Sequence, residues 1–414
     1  MSSEPSVHHA TGADAATPKL GRGLTAVFAV SVGVAVLSLY ASQPLIGPIG
    51  VAFGWNPSEA GLATTLTLLG YASGLFLLVP LVDLVENRSL IVGTLAIDVV
   101  ALAVLARAPT PSLFLAACYA TGVAASVIQM LVPVAVRLAP EPRRGQVVGN
   151  VMSGLMLGIL LSRPAASLAV ELGGWRWFYG WLSAAVAVLT VVLSFAIPRY
   201  QPRCAQSYWK LIGSMATILR QEPVLRRRAA YQALCMGTFG AFWTSISLRL
   251  STAPFDLGPK GIALFALAGA AGAVVAPVAG RAGDRGWTQG ATRVAHLAVT
   301  GAVALAWIGG HVLARGSSAA SAGMALAALA LSAVLLDLGV IADQTLGRRA
   351  VNLLQPQARG RVNGLFTGLF FLGAAAGSGA SGFAWMHWGW PGVCGVALAF
   401  AGTALAISLM AQPR

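Results

Sequence analysis

The chain has 414 residues, of which 57% are hydrophobic and only 10% charged, and its formal net charge is +14. A soluble domain keeps charged residues near a quarter of its composition, so this mixture excludes a water-faced globule and makes lipid the solvent for most of the surface. The basic residues sit in short connectors between apolar runs, which excludes nucleic-acid binding as the reason for the charge and points to orientation in a membrane.

Residues 1–21 are polar and rich in Ala, Ser, Thr and Pro, with His8 and His9 and no apolar run, and read as a disordered cytoplasmic tail. A helix rises about 1.5 Å per residue, so roughly 20 apolar residues cross the hydrocarbon. By that ruler the sequence predicts twelve spans. The first six are Leu24–Leu45, Ala60–Val82, Ser89–Ala106, Leu113–Val136, Val147–Leu172 and Phe178–Ile197. The last six are Ala229–Leu250, Gly261–Ala279, Val294–Leu313, Ala322–Asp343, Val362–Met386 and Pro391–Met410. Span one is too long for a signal-peptide core and is expected to remain as a helix.

The expected organisation is an all-α polytopic membrane protein with six-helix bundles at 22–197 and 229–414. Between them, residues 198–228 carry seven basic residues and one acid, Glu222, and read as a basic, partly amphipathic cytoplasmic linker against anionic headgroups. With the N-terminus inside, the inner segments hold 21 of the 27 basic residues. The outer connectors hold Arg107, Arg176, Arg249, Lys260 and Arg315, and Arg163 falls within a span. That asymmetry places both termini in the cytoplasm.

The two halves also share a sequence signature. At an offset of 215 positions, Arg144-Gly145 falls on Arg359-Gly360, Gly149 on Gly364, Gly158 on Gly373, Gly174-Trp175 on Gly389-Trp390 and Gly180 on Gly395. Each copy runs from a basic loop through a long apolar segment to a Gly-Trp turn, the mark of a duplicated hydrophobic unit.

Two inner loops stand at matching places. Between spans two and three the chain reads Val79 to Arg88 with Asp83 and Glu86, and between spans eight and nine Gly280 to Gly286 with Asp284 and Arg285. An aspartate at the negative end of a helix needs a partner, and a charge paired in one conformation only is a latch between moving parts. The loops, the two halves and the basic linker resemble the major facilitator superfamily of secondary transporters. Its G-x-x-x-D-R-x-G pattern is matched by Gly280, Asp284 and Arg285; in the first loop only Asp83 and Arg88 carry over, with Val79 and Glu86 in place of glycines. The resemblance covers residues from about 22 to 412 and implies the conformational latch for these five residues.

Span five is similar to the glycine and proline motif of the drug:proton antiporter branch, carried by Gly149, Gly158, Ser162 and Pro164, with Arg163 where that motif has proline. Small residues let helices approach closely and proline bends them. The run from Gly158 to Arg163, with Tyr40 to Pro44 in span one, resembles bacterial efflux permeases of the arabinose or multidrug type. Arg163 lies within about one helical turn of the middle of its span, where a charge costs roughly 3 kcal/mol on insertion scales. The functional reading is a gate or cavity charge that meets an anionic group or the carboxylate of a transported proton; the alternatives are a structural ion pair or snorkelling to the outer face.

Proton coupling needs a buried carboxylate that alternates between charged and neutral forms. Asp337 in span ten is the first candidate, since the resemblance places that span beside the central cavity. Asp98 in span three is the second, with a structural hydrogen bond as its alternative reading, and Asp343 reads as interfacial. Candidate substrate-binding groups are Tyr40, Gln43, Gln129, Arg163, Trp243, Thr244, Asn363 and Thr367; singly, each also fits a helix–helix hydrogen bond. Cys118, Cys204, Cys235 and Cys394 have no C-x-x-C spacing and read as small buried residues, so no metal site is expected. With no Walker-type loop and no nucleophile–base pair, neither ATP drive nor enzyme chemistry is expected, nor any cofactor, nucleic-acid or protein partner. The sequence thus predicts an exporter of a small organic solute or drug that exchanges it for protons by alternating access. An importer or facilitator of a small, anionic metabolite fits the same fold, and a non-transporting receptor or scaffold is the alternative from another class.

Overall fold

A computed structural model describes residues 21–202, 207–316, 318–354 and 359–411. The paired histidines of the tail and Cys204 of the linker lie outside them. The described residues are helical throughout, with no strand. That is what a bilayer demands of a chain without a closed barrel, because each helix satisfies its own backbone groups.

Among the described residues ten helices are long and apolar enough to cross a membrane. The last, Gly360–Met410, is 51 residues long, more than twice what one crossing needs. It is broken at Gly389, whose φ of 61° and ψ of −150° are not helical. Dividing the segment there and adding the 28-residue helix Pro223–Leu250 gives twelve long helices among the described residues, against the twelve spans expected. Pro223–Leu250 is less apolar than the other ten, because Arg226, Arg227 and Arg228 lie in its first turns and Gln232, Thr238, Thr244, Ser245 and Ser247 are buried along it.

Local sequence sets the helix starts. Proline at the first turn begins Pro57–Leu77, Pro111–Ala125 and Pro223–Leu250, where its missing N–H costs nothing. Asn56 and Glu59 form a reciprocal capping box on the first of these. Span one is longer than predicted, continuing from Arg22–Tyr40 into Ser42–Phe53, which stops at the left-handed Gly54.

The repeated glycines have the same work in both halves. A methyl group at Gly158 would stand 2.4 Å from the Gly33 carbonyl oxygen, so spans five and one touch backbone to backbone. Its counterpart Gly373 stands in the same relation to Ala233, at 2.0 Å, joining spans eleven and seven. The two halves meet along spans two and eleven: Thr65 Oγ1 donates to Ser378 Oγ at 3.3 Å, and Tyr71 stands edge-on to Phe371 with centroids 4.5 Å apart.

The linker contains a helix, Tyr208–Gln221, whose Leu211, Met215 and Ile218 are buried. This apolar face packs against the protein. Tyr208 donates to the Leu77 carbonyl at 2.9 Å, and Arg361 donates to Ser214 Oγ at 2.7 Å, so one short helix touches both halves.

Candidate functional site

Four helices bring their polar residues together in the middle of the molecule. Arg163 Nε donates to Gln43 Oε1 at 2.8 Å, although the two are 120 positions apart. The guanidinium carbon lies 4.2 Å from the Trp243 ring centroid and 5.2 Å from those of Tyr40 and Phe239. Trp243 Nε1 in turn donates to Asp337 Oδ1 at 2.9 Å. Cation, aromatic ring and acid therefore form one unit drawn from spans one, five, seven and ten.

The unit is dry: Arg163 is 4% exposed and Asp337 5%. A cation facing a ring gains about 0.5–2 kcal/mol, the more so without water, and three rings surround this one. Arg163 Nη2 and Gln43 Nε2 are buried with no hydrogen-bond partner among the described residues. The site thus keeps two N–H groups that an acceptor could satisfy. Gly269, in the short turn Leu267–Ala270, closes it from span eight; a side chain there would stand 2.9 Å from Asp337 Oδ2 and 3.0 Å from the Trp243 ring.

The remaining candidates divide between two places. Thr244 shares a 2.9 Å hydrogen bond with Ser378, which Thr65 also reaches, and Thr367 is buried on the same helix as Ser378. Gln129 and Asn363 line a separate cavity of about 480 Å³ on the linker side, between the halves. There Gln129 Nε2 donates to Tyr71 Oη at 3.3 Å and Asn363 bonds Asn352. Arg137, Arg348 and Arg361 line that cavity against one acid, Asp83.

The two loops differ. Asp284 Oδ1 accepts from Arg349 Nε at 2.9 Å, tying the loop to the end of span ten, while Arg285 lies over Trp287 at 5.5 Å and Gly280 meets no neighbour. Neither Asp83 nor Arg88 forms an ion pair among the described residues. In span five Ser162 Oγ donates back to Ile159 O within the Arg144–Leu172 helix, and Pro164 lies inside the same helix.

Several expectations need correction. Gly149 has nothing near it, and Gly154 takes the packing role instead, 2.2 Å from the Ala29 carbonyl oxygen were it to carry a methyl group. Asp98 is buried at 0%, with neither oxygen hydrogen-bonded among the described residues, so the structural hydrogen bond expected of it is not made there. Asp343 is not interfacial: its helix runs on to Asn352, and it is fully buried 3.4 Å from His296. Phe239 and Gly269 were missed. The only signal for Phe239 is its spacing of four from Trp243, which places both on one helix face; Gly269 has none, because its contacts are all distant in sequence.

The chain belongs to the Major Facilitator Superfamily, whose family model matches residues 28–339. It is 34% identical over 379 residues to the uncharacterized transporter YgaY of Escherichia coli O157:H7, covering 91% of this chain and 92% of that one. It is 31% identical over 372 residues to SCO4007 of Streptomyces coelicolor, also named as a transporter, covering 90% and 83%. Among solved structures it shares the fold of the nucleoside transporter NupG, with a TM-score of 0.70 at 14% identity over 93% of this chain and 98% of that one. It likewise shares the fold of a POT family transporter bound to 5-aminolevulinic acid, at 0.70 and 13% over 95% and 97%. The protein is a multi-span membrane transporter of this superfamily, not an enzyme.

Proposed function

We propose that this chain exports a small organic solute across the inner membrane in exchange for protons, as the drug:proton antiporter-like reading of span five suggests. Residues 22–197 and 229–414 are the two moving halves, joined by 198–228, and both termini face the cytoplasm. The Arg163–Trp243–Asp337 unit carries the reading, because it puts the one acid of the central site within reach of groups from both halves. A solute that stacks on Tyr40, Phe239 and Trp243 and donates a hydrogen bond to Asp337 competes with a proton for that carboxylate. Mutually exclusive binding at a site open to alternate sides is what exchange requires. Asp284–Arg349 acts as a latch that must open during the cycle.

A second reading is favoured by the unpartnered N–H groups of Arg163 and Gln43 and by the three arginines of the linker-side cavity. Both features suit an organic anion. An anion that takes Arg163 leaves Asp337 to pick up a proton, so the two would travel together, as in import. The same experiment decides. In proteoliposomes holding a pH-sensitive dye, addition of transported solute moves protons against the solute in the first reading and with it in the second. Asp337→Asn abolishes that proton movement in both; proton flux unchanged in the Asn variant rules the acid out.

A further inference from the structure

Span seven, span nine and span ten bury a second polar cluster on the linker side of the first. Cys235, His296 and Asp343 each have no exposed surface. One ligand atom from each, the cysteine Sγ, an imidazole nitrogen and a carboxylate oxygen, lies within 4.8 Å of the others. His296 Nε2 and Asp343 Oδ1 are 3.4 Å apart, and neither ring nitrogen nor either carboxylate oxygen makes a hydrogen bond among the described residues. Gln232, one helical turn before Cys235, is also buried with both amide atoms unpartnered. Leaving such groups bare is costly, a heavy burden for one small region unless it serves a ligand.

We infer that Cys235, His296 and Asp343 form a binding site for a soft monovalent metal ion of the copper(I) or silver(I) class. Thiolate with imidazole is a donor set for copper and zinc. Charge decides between them. A monovalent ion that replaces the Cys235 proton forms a metal–sulfur bond, sends the proton to solvent and leaves the buried charge unchanged. A divalent ion would add one uncompensated positive charge in a low-dielectric interior, which is costly.

The dimensions suit this chemistry. Metal–ligand bonds of roughly 2.0–2.3 Å let two donors sit up to about 4.5 Å apart across an ion, so closing on one needs only a small adjustment. Tyr231 stands edge-on to His296, with centroids 5.1 Å apart, and fixes the plane of the imidazole. The site is distinct from the solute site, since none of its residues touches Arg163 or lines the linker-side cavity. It joins the helices that carry Trp243 and Asp337, so occupancy ties together two of the elements that build the central unit.

The test uses the full chain with Cys118, Cys204 and Cys394 replaced by Ala, so that Cys235 is the one thiol left. Titration with silver ion in a calorimeter should show one ion bound per chain, with a rise in the thermal unfolding temperature. Cys235→Ser and, separately, His296→Gln should each weaken binding at least tenfold, and Asp343→Asn several-fold, since the carboxylate is the harder donor. Failure of this Cys235-only chain to bind silver overturns the site, as does equal affinity in His296→Gln. Binding of zinc without silver overturns the charge argument and the proposal with it. Each variant is first shown to elute as a monodisperse peak, and the Cys235-only chain itself decides the matter if a variant does not.

Discussion

Trp243 Nε1 donates to Asp337 Oδ1 at 2.9 Å from the edge of the indole, while the Arg163 guanidinium lies over the same ring, 4.2 Å from its centroid. An acid and a base are thus joined through a ring that senses both. Loss of either charge therefore acts on the same ring.

Trp243→Phe keeps an aromatic face for Arg163 and removes only the N–H. A hydrogen bond to a charged group is worth about 1.5–3 kcal/mol. Gradient-driven transport should fall by about tenfold or more on that basis, while solute counterflow without a gradient survives. Equal losses in both assays would show that the bond to Asp337 has no part in coupling.

Helix contact at the repeated glycines should be intolerant of side chains. Gly158→Val and Gly373→Val each force a neighbouring carbonyl away, at a cost of about 1–3 kcal/mol typical of overpacking. Thermal unfolding in detergent should drop by several degrees for each, whereas Gly149→Ala, which meets open space, should leave it unchanged. A drop for Gly149→Ala as large as for the other two contradicts the packing described here.

The Asp284–Arg349 pair is half-exposed, with side chains 71% and 37% accessible, so it contributes little to stability, about 1 kcal/mol at most. Asp284→Asn should therefore leave the melting temperature nearly intact but change the transport rate several-fold. The double exchange Asp284→Arg with Arg349→Asp should recover part of the rate. No recovery would mean that the pair acts through something other than its mutual attraction.

Orientation is testable with single cysteines on a cysteine-free chain. Positions in 1–21 and at the C-terminal end should react with an impermeant maleimide only after the membrane is opened, and a cysteine at Arg315 should react in intact cells. Labelling of the two ends from opposite sides would refute an even number of crossings.

Linear chemistry determined the class of this molecule. Apolar runs of about 20 residues have only one stable form in lipid, and the repeated Gly158 and Gly373 marked two like halves before any contact was known. The charges within those runs announced themselves too, since Arg163 and Asp337 are too costly in hydrocarbon to stand alone. Their partners could not be read. Gln43 and Arg163 are 120 positions apart, and helical periodicity says which face a residue occupies, not which distant face it meets. For the same reason His296 was invisible beside Asp343, and Gly269 beside Trp243. Side-chain proximity between helices is set by how the bundle packs, and only the tertiary structure brought the cation, the indole and the acid into one line.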